Sequence, residues 1–168
     1  MTIATTSTKS SVSRSDAIQS VPVSQTSEWT TVVAAGAATT ADNSGSDITS
    51  PAAQIAASGA ERIILTREGS GGTYVQFRVK YATAPTTFPT IQVFGRTGTQ
   101  AWERLKDTGG LVDFTFAAPS LALTDGTSTY SDPTNPIDVR GCNEILVGVK
   151  TAAASGGASG VSIEGKIW

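Results

Sequence analysis

Carboxylates are the main residues in this sequence whose chemistry could drive a reaction. The chain contains no His and one Cys, which excludes a Ser-His-Asp triad, a His metal cluster and a Cys zinc site. Two acids ~5–9 Å apart could hydrolyse a glycosidic bond. Glu103 and Glu164 lie within strand-like segments and Glu28 adjoins Trp29, but alternation places each at a solvent-facing or terminal position. We therefore interpret them as surface charges and predict no catalytic residue.

Two other groups could bind a ligand, and both have an ordinary structural explanation. Ca²⁺ could take oxygen ligands from a group whose spacing matches no known calcium loop, Asp125, Asp132, Asn135 and Asp138. A sugar-stacking platform could come from four aromatic residues, Trp102, Tyr74, Tyr81 and Tyr130. Tyr81 and Trp102 are expected in the core instead, because large aromatic side chains usually mark buried faces. We predict no metal and no cofactor.

These residues must be positioned by a series of short strands. Apolar and polar residues alternate with a period of two in several segments, most clearly in 73–83, where Val75, Phe77, Val79 and Tyr81 share one face. Candidate strands cover residues 28–35, 61–67, 73–83, 90–96, 101–105, 112–116, 120–124, 144–151 and 161–168. Strands of this length between Gly- and Pro-rich turns predict an all-β, antiparallel, jelly-roll-like sandwich of eight or more strands. The alternation leaves jelly-roll and immunoglobulin-like strand orders open.

Two segments are poor in large apolar side chains. Residues 1–27 are rich in Ser and Thr and cannot offset their ordering entropy by burial, which predicts a flexible N-terminal arm before a single domain at 28–168. Residues 36–59 carry only Ile48 and Ile55 as large apolar groups and are expected to lie across a core edge with at most one short helix. We find no secretory signal and no apolar stretch of ~20 residues, so we expect no membrane partner.

The charge balance also bears on partners. The net charge of −2 at 15% charged residues argues against nucleic acid, since phosphate binding needs a basic surface. Residues 107–139 contain five acids and no base, while residues 62–106 contain seven bases and two acids. Such segments could make complementary contacts between neighbouring copies, or they could interleave in the sheet and cancel.

The sandwich segments resemble a known family. The stretches TYVQFRVKYAT, TIQVFGR and AWERL, followed by GCNEILVGVKT and GVSIEGKIW, are similar over roughly residues 60–168 to the small jelly-roll cement or decoration proteins of tailed bacteriophages. The resemblance implies a non-enzymatic virion protein, made in the host cytoplasm and mounted on the capsid exterior. It further implies that the partner is the major capsid protein and that the chain is a homo-oligomer, a trimer in many such proteins.

The resemblance supplies no catalytic residues, so the expected site is a surface. The interface candidates are Pro22 and Val23 in the arm, and Trp29 and Trp168 at the two ends of the sandwich, because aromatic residues at such positions often anchor contacts. Three alternatives remain open: a carbohydrate-binding module, another phage head or tail protein, and a glycoside-active enzyme.

Overall fold

The computed structural model describes residues 29–57, 74–154 and 160–167. Within them the chain forms ten strands, one α-helix and one 3-10 turn at Ala37–Thr39. The elements are β1 Thr30–Val33, α1 Pro51–Ala57, β2 Tyr74–Tyr81, β3 Thr90–Arg96, β4 Glu103–Arg104, β5 Phe114–Thr115, β6 Leu123–Thr124, β7 Thr129–Tyr130, β8 Ile137–Asp138, β9 Glu144–Thr151 and β10 Ser162–Ile167. The predicted all-β fold is confirmed.

The strands form two antiparallel sheets. Sheet 1 has the order β1-β10-β2-β7-β6, and β8 also pairs with β2. Sheet 2 has the order β4-β3-β5, and β9 pairs with β3 along its whole length. The consecutive long strands β2 and β3 therefore lie in different sheets, as do β9 and β10. Every pairing is antiparallel, and the main core lies between the two sheets.

The core is built from the alternating faces that the sequence predicts. On β2 the residues Val75, Phe77, Val79 and Tyr81 are buried, while those between them are half-buried. Ile163 and Ile167 on β10 are buried beside them. Burial of each large apolar side chain stabilises the fold by about 1.5–3 kcal/mol. The paired strands β2 and β10, which carry these side chains, form the centre of sheet 1.

Strand β3 differs from the prediction because both of its faces are buried. Alternation puts Gln92 and Phe94 on the face opposite Ile91 and Val93, yet they too are buried, at 0% and 3% exposed. Residues 36–57, which we call the strap, cover the outer face of sheet 2. Ile48 and Ile55 of the strap pack against Phe94, and Leu146 completes this second apolar cluster. The segment expected at a core edge thus covers a whole sheet face.

The strap carries the one short helix that the sequence allows. Pro51 opens α1, where a missing N–H costs nothing. The Gln54 Oε1 atom accepts hydrogen bonds from the amides of Thr49 and Ser50 at 2.9 and 2.8 Å, which closes the N-terminal turn. With only seven residues, α1 is far too short to cross a membrane, and the described residues include no helix that could.

Several smaller expectations are corrected. The strands predicted at 101–105 and 120–124 shrink to Glu103–Arg104 and Leu123–Thr124. Two short strands, β7 and β8, were not predicted. Trp102, expected in the main core, is only partly buried and packs against the strap cluster instead. The predicted strand at 61–67 lies outside the described residues.

Close packing under the strap gives a first testable prediction. A Cβ atom at Gly148 would overlap Ile48 Cδ1 and would lie 3.2 Å from Ile55 Cδ1. Gly148→Ala is therefore expected to lower the free energy of unfolding by about 1–3 kcal/mol through overpacking, as measured by urea denaturation.

The control is Ile48→Val, which removes the methyl group that the new Cβ would meet. On its own this change costs about 0.5–1.5 kcal/mol. The double variant should lose less stability than the sum of the two single variants. A strictly additive double variant would show that Gly148 is not tightly packed against the strap.

Candidate interaction face

The side of sheet 1 that points away from the core carries a cluster of charged and aromatic side chains. We call this side the outer face. Alternation along β2 puts Arg78 and Lys80 on it, and the register places Glu164 of β10 directly opposite Arg78. The same pairing continues from Glu164 to Thr31 on β1, so the outer face extends from β2 to the strand that follows the N-terminal segment.

Arg78 is held on both sides of its guanidinium plane. Its Cζ atom lies 4.4 Å from the centre of the Trp29 ring and 3.9 Å from the centre of the Tyr130 ring. Its Nε donates to Glu164 Oε2 at 2.8 Å, and its Nη2 lies 2.7 Å from the same oxygen. Such a geometry combines cation–π attraction with a fixed ion pair, and it presents a rigid group made of Trp29, Arg78 and Tyr130.

Glu164 is the residue whose expected position is most clearly wrong. Its alternating position predicted solvent exposure, yet it is only 6% exposed. Arg78 and Lys80 both contact it, with the Lys80 Nζ atom 3.9 Å from Oε1. The long side chains that neutralise its charge also cover it. The carboxylate is thus part of a structural ion pair.

The hairpin between β6 and β7 positions Tyr130. Its turn is closed by Asp125, whose Oδ1 accepts hydrogen bonds from the amides of Thr127 and Ser128 at 2.9 and 2.8 Å, and Gly126 adopts a φ of +92°. The Tyr130 hydroxyl donates to Asp125 Oδ2. This hydrogen bond and the turn amides lower the pKa of Asp125, while the carboxylate raises the pKa of Tyr130. The ring of Tyr130 is therefore fixed from both ends.

The far edge of sheet 1 is apolar and exposed. Leu123 on β6 lies directly opposite Tyr130 on β7. Leu123 is 49% exposed, and Leu121, two residues earlier, is 71% exposed. Large apolar side chains at an open edge strand are typical of contact surfaces.

The candidate calcium ligands are not brought together. Each of the four side chains has its own partner elsewhere, as Asp125 bonds Tyr130, Asp132 bonds Ser120, Asn135 bonds Asp107 and Asp138 bonds Arg140. Across the described ranges, the structure contains no group of three His, Cys, Asp or Glu residues that could hold a metal ion.

The candidate sugar platform is only partly assembled. Tyr81 is buried in the core, edge-to-face with Phe88 at 5.5 Å between ring centres. The Trp102 ring lies 4.4 Å from the Arg96 guanidinium, at sheet 2. Tyr74 on β2 and Tyr130 on β7 both lie on the outer face, where Arg78 lies between Tyr130 and Trp29.

The two segments of one charge sign are neutralised by other parts of the chain. Bases within residues 62–106 pair with acids outside residues 107–139, in the pairs Arg78–Glu164, Arg96–Glu144 and Arg104–Asp47. Acids within residues 107–139 pair with bases that come later in the chain, in Asp113–Lys150 and Asp138–Arg140. The segments therefore do not cancel each other, and most of their charge is used within the fold.

A polar network beneath the strap was not predicted. The buried Gln92 amide donates to Asp47 at 3.0 Å and to Asp113 at 2.6 Å, while its Oε1 accepts the Ile48 amide at 2.9 Å. Lys150 Nζ lies 2.7 Å from Asp47 and 2.6 Å from Asp113. Sequence reasoning had no signal for this network, because its members come from the strap, β3, β9 and a loop.

The network gives a prediction for acid. Hydrogen bonds from Lys150, Arg104 and Gln92 hold the pKa of Asp47 at about 2, below its ordinary value of 3.8. A lowered pKa stabilises the fold fully above pH 3.8, and this contribution disappears as pH falls toward 2. The urea midpoint should therefore decrease between pH 5 and 2, and Asp47→Asn should flatten that decrease.

The acids near Asp47 also affect how the urea midpoint changes with pH. Burial opposes ionisation of Asp113, but hydrogen bonds from Lys150 and Gln92 outweigh it and lower its pKa. The other acids therefore also lose stabilisation in acid, so the quantity compared is the difference between wild type and Asp47→Asn at each pH. A difference that stays constant from pH 5 to 2 would contradict the assigned role of Asp47.

An open cavity of about 410 Å³ lies at the end of sheet 2 that contains Arg96 and Glu103. Its lining includes two carboxylates and two guanidinium groups, from Glu103, Asp138, Arg96 and Arg140. Arg140 holds the pKa of Asp138 below its ordinary value. The cavity is an open, polar recess.

Of the four interface candidates, Trp29 lies on the outer face, and Pro22, Val23 and Trp168 lie outside the described residues. Arg78, Tyr130, Leu121 and Leu123 were not among the candidates. Comparison of the chain with protein-family models, curated proteins and solved structures finds no match.

Proposed function

We propose that this protein is a non-enzymatic virion structural protein, a decoration protein that binds the outside of a phage head. Its contacts would be made by the outer face of sheet 1 together with residues 1–27. The observation that supports this most is the fixed Trp29–Arg78–Tyr130 group beside the N-terminal segment. Trp, Tyr and Arg are the residues most enriched at energetically dominant interface positions.

The two sheets differ in a way that favours this face. The outer face of sheet 2 is covered by the strap, whereas on the outer face of sheet 1 Thr31 is exposed and Arg78, Lys80 and Tyr130 are half-buried. Arg78 is preorganised by its neighbours, so little side-chain entropy is lost when a partner binds. Many copies on one lattice would add their affinities, so a modest contact area for each copy suffices.

The test is co-sedimentation with capsid shells that lack the protein. The full chain should pellet with shells, and a chain without residues 1–27 should bind more weakly. Trp29→Ala should raise the dissociation constant by roughly thirty-fold, the change expected for a loss of about 2 kcal/mol at a dominant interface residue.

Thr49→Ala serves as the control, because Thr49 is exposed on the strap over sheet 2, on the other side of the sandwich from the outer face. It should bind shells like the unmodified chain. If neither the full chain nor the shortened chain pellets with shells, the proposal is wrong. Pelleting with isolated tails instead would identify another phage structural role.

A carbohydrate-binding module is the second candidate function, and the cavity at the end of sheet 2 favours it. Arg96 and Arg140 there are paired with Glu144 and Asp138, so the recess offers directed hydrogen bonds with little net charge. This suits a neutral polyhydroxylated ligand better than an ion. Binding on a glycan array that Arg96→Ala abolishes would support this function, and an array without signal would exclude it for the glycans tested.

A further inference from the structure

The outer face has two ends with different properties. At one end β1 continues directly from residues 1–28. At the other end β6 exposes Leu121 and Leu123. Between them, Arg78 and Lys80 share the carboxylate of Glu164, and Asp125 places a second carboxylate against Tyr130. An occupant of the leucine-bearing edge should therefore be extended and partly apolar.

Residues 15–28 of this chain have that chemistry. The stretch SDAIQSVPVSQTSE contains only two charged residues, Asp16 and Glu28, near its two ends. Its apolar residues are concentrated at Val21, Pro22 and Val23, and Pro22 favours an extended backbone.

The register argues against the segment of the same chain as the occupant. Across the sheet, Thr30 pairs with Gly165, which pairs with Phe77, while Leu123 pairs with Tyr130, which pairs with Lys80. Trp29 and Leu123 are therefore four strands apart, ~19 Å across the sheet, and about four residues apart along the strand direction, ~13 Å. The straight-line distance between them is about 23 Å.

The polypeptide enters β1 from the end of the sheet that points away from Leu123, so a return path needs a turn of about four residues. Fully extended, the chain spans at most ~22 Å over the six residues from Trp29 to Val23 and ~29 Å over the eight residues to Val21, and the turn reduces these lengths to ~7 Å and ~14 Å. An intramolecular contact between Val23 and Leu123 is therefore strained, whereas a contact with another copy is not.

We propose that residues 15–28 of one copy bind the β6 edge of sheet 1 in a second copy, with Val21–Val23 against Leu121 and Leu123, so that the Trp29–Arg78–Tyr130 group stays uncovered for the shell. Exchange of this segment would link copies of the chain into an oligomer. The inference concerns contact between copies in solution, so it can be tested in the absence of capsid shells, and its failure would leave the virion role open.

The test is disulfide trapping in the full chain with Cys142→Ser, so that only introduced thiols react. V23C and L123C variants are mixed and oxidised, then separated on a non-reducing gel. The mixture should give a covalent dimer at roughly ten-fold higher yield than V23C mixed with T49C, a matched control on the exposed strap surface.

A second measurement does not depend on introduced thiols. Sedimentation equilibrium of the unmodified chain should show an oligomer, and Leu123→Ser should raise its dissociation constant roughly ten-fold by removing one buried leucine from the contact. A purely monomeric chain would overturn the proposal. The proposal would also be overturned if a V23C/L123C double variant formed its disulfide within one chain and the mixed single variants gave no more dimer than the control.

Discussion

Gln92→Ala is expected to lower the free energy of unfolding by about 3–4 kcal/mol, a combination of cavity formation and lost buried hydrogen bonds. The side chain is 0% exposed and joins three partners, the carboxylates of Asp47 and Asp113 and the amide of Ile48. Its loss leaves the Ile48 amide without its acceptor and the two carboxylates without their shared donor. Chemical denaturation of the full chain measures this change.

Gln76→Ala is the matched control for this prediction. Gln76 is also a glutamine on a strand, but it is half-exposed and donates one side-chain hydrogen bond, to the Thr134 carbonyl at 2.7 Å. It should cost about 1 kcal/mol or less. In Gln92→Ala the strap should also become sensitive to proteolysis under native conditions, while Gln76→Ala leaves it protected. Equal losses of stability in the two variants would contradict the role assigned to Gln92.

Glu164→Ala is expected to cost about 2–3 kcal/mol, because it leaves Arg78 and Lys80 as neighbouring cations without their carboxylate. Removal of one partner from a buried ion pair costs about 3–5 kcal/mol, and the partial exposure of the two cations reduces this value. The variant should also lose the fixed orientation of Arg78, so shell binding and stability should decline together.

The double variant Arg78→Met, Glu164→Leu separates charge from packing. Apolar side chains of similar volume often replace a buried ion pair without loss of stability, so this variant should recover most of the free energy that Glu164→Ala loses. It should still bind shells poorly, because the guanidinium is gone. A Glu164→Ala variant as stable as the unmodified chain would show that the ion pair is not a structural element.

The sequence was most informative where one face of a strand meets the core and the other meets water. The alternation in β2 predicted the buried residues correctly, from Val75 to Tyr81, because a period of two is a local property. It failed on β3, where Gln92 lies in a strand that is buried on both sides. Nothing within β3 indicates that a strap some forty residues earlier covers its outer face.

The candidate site was predictable only in part. Trp29 was selected for its type and its place at the end of the predicted arm, and it lies on the outer face. Arg78, Glu164 and Tyr130 come together from three strands, β2, β10 and β7, and their contact depends on strand order. Because alternation contains no information about which strands are neighbours, this group could not be found from the sequence.

The strap has a consequence for the dynamics of the molecule. Backbone amides exchange with deuterium only when the local structure opens, and the slowest amides mark the most cooperative part of a fold. In β3 the paired amides are shielded from both sides, whereas those of β7 and β6 lie in two-residue strands at a sheet edge. Deuterium uptake should therefore be slowest at the centre of sheet 2 and fastest in the leucine-bearing hairpin. The molecule would keep one rigid layer while the edge of the other adapts to what it touches.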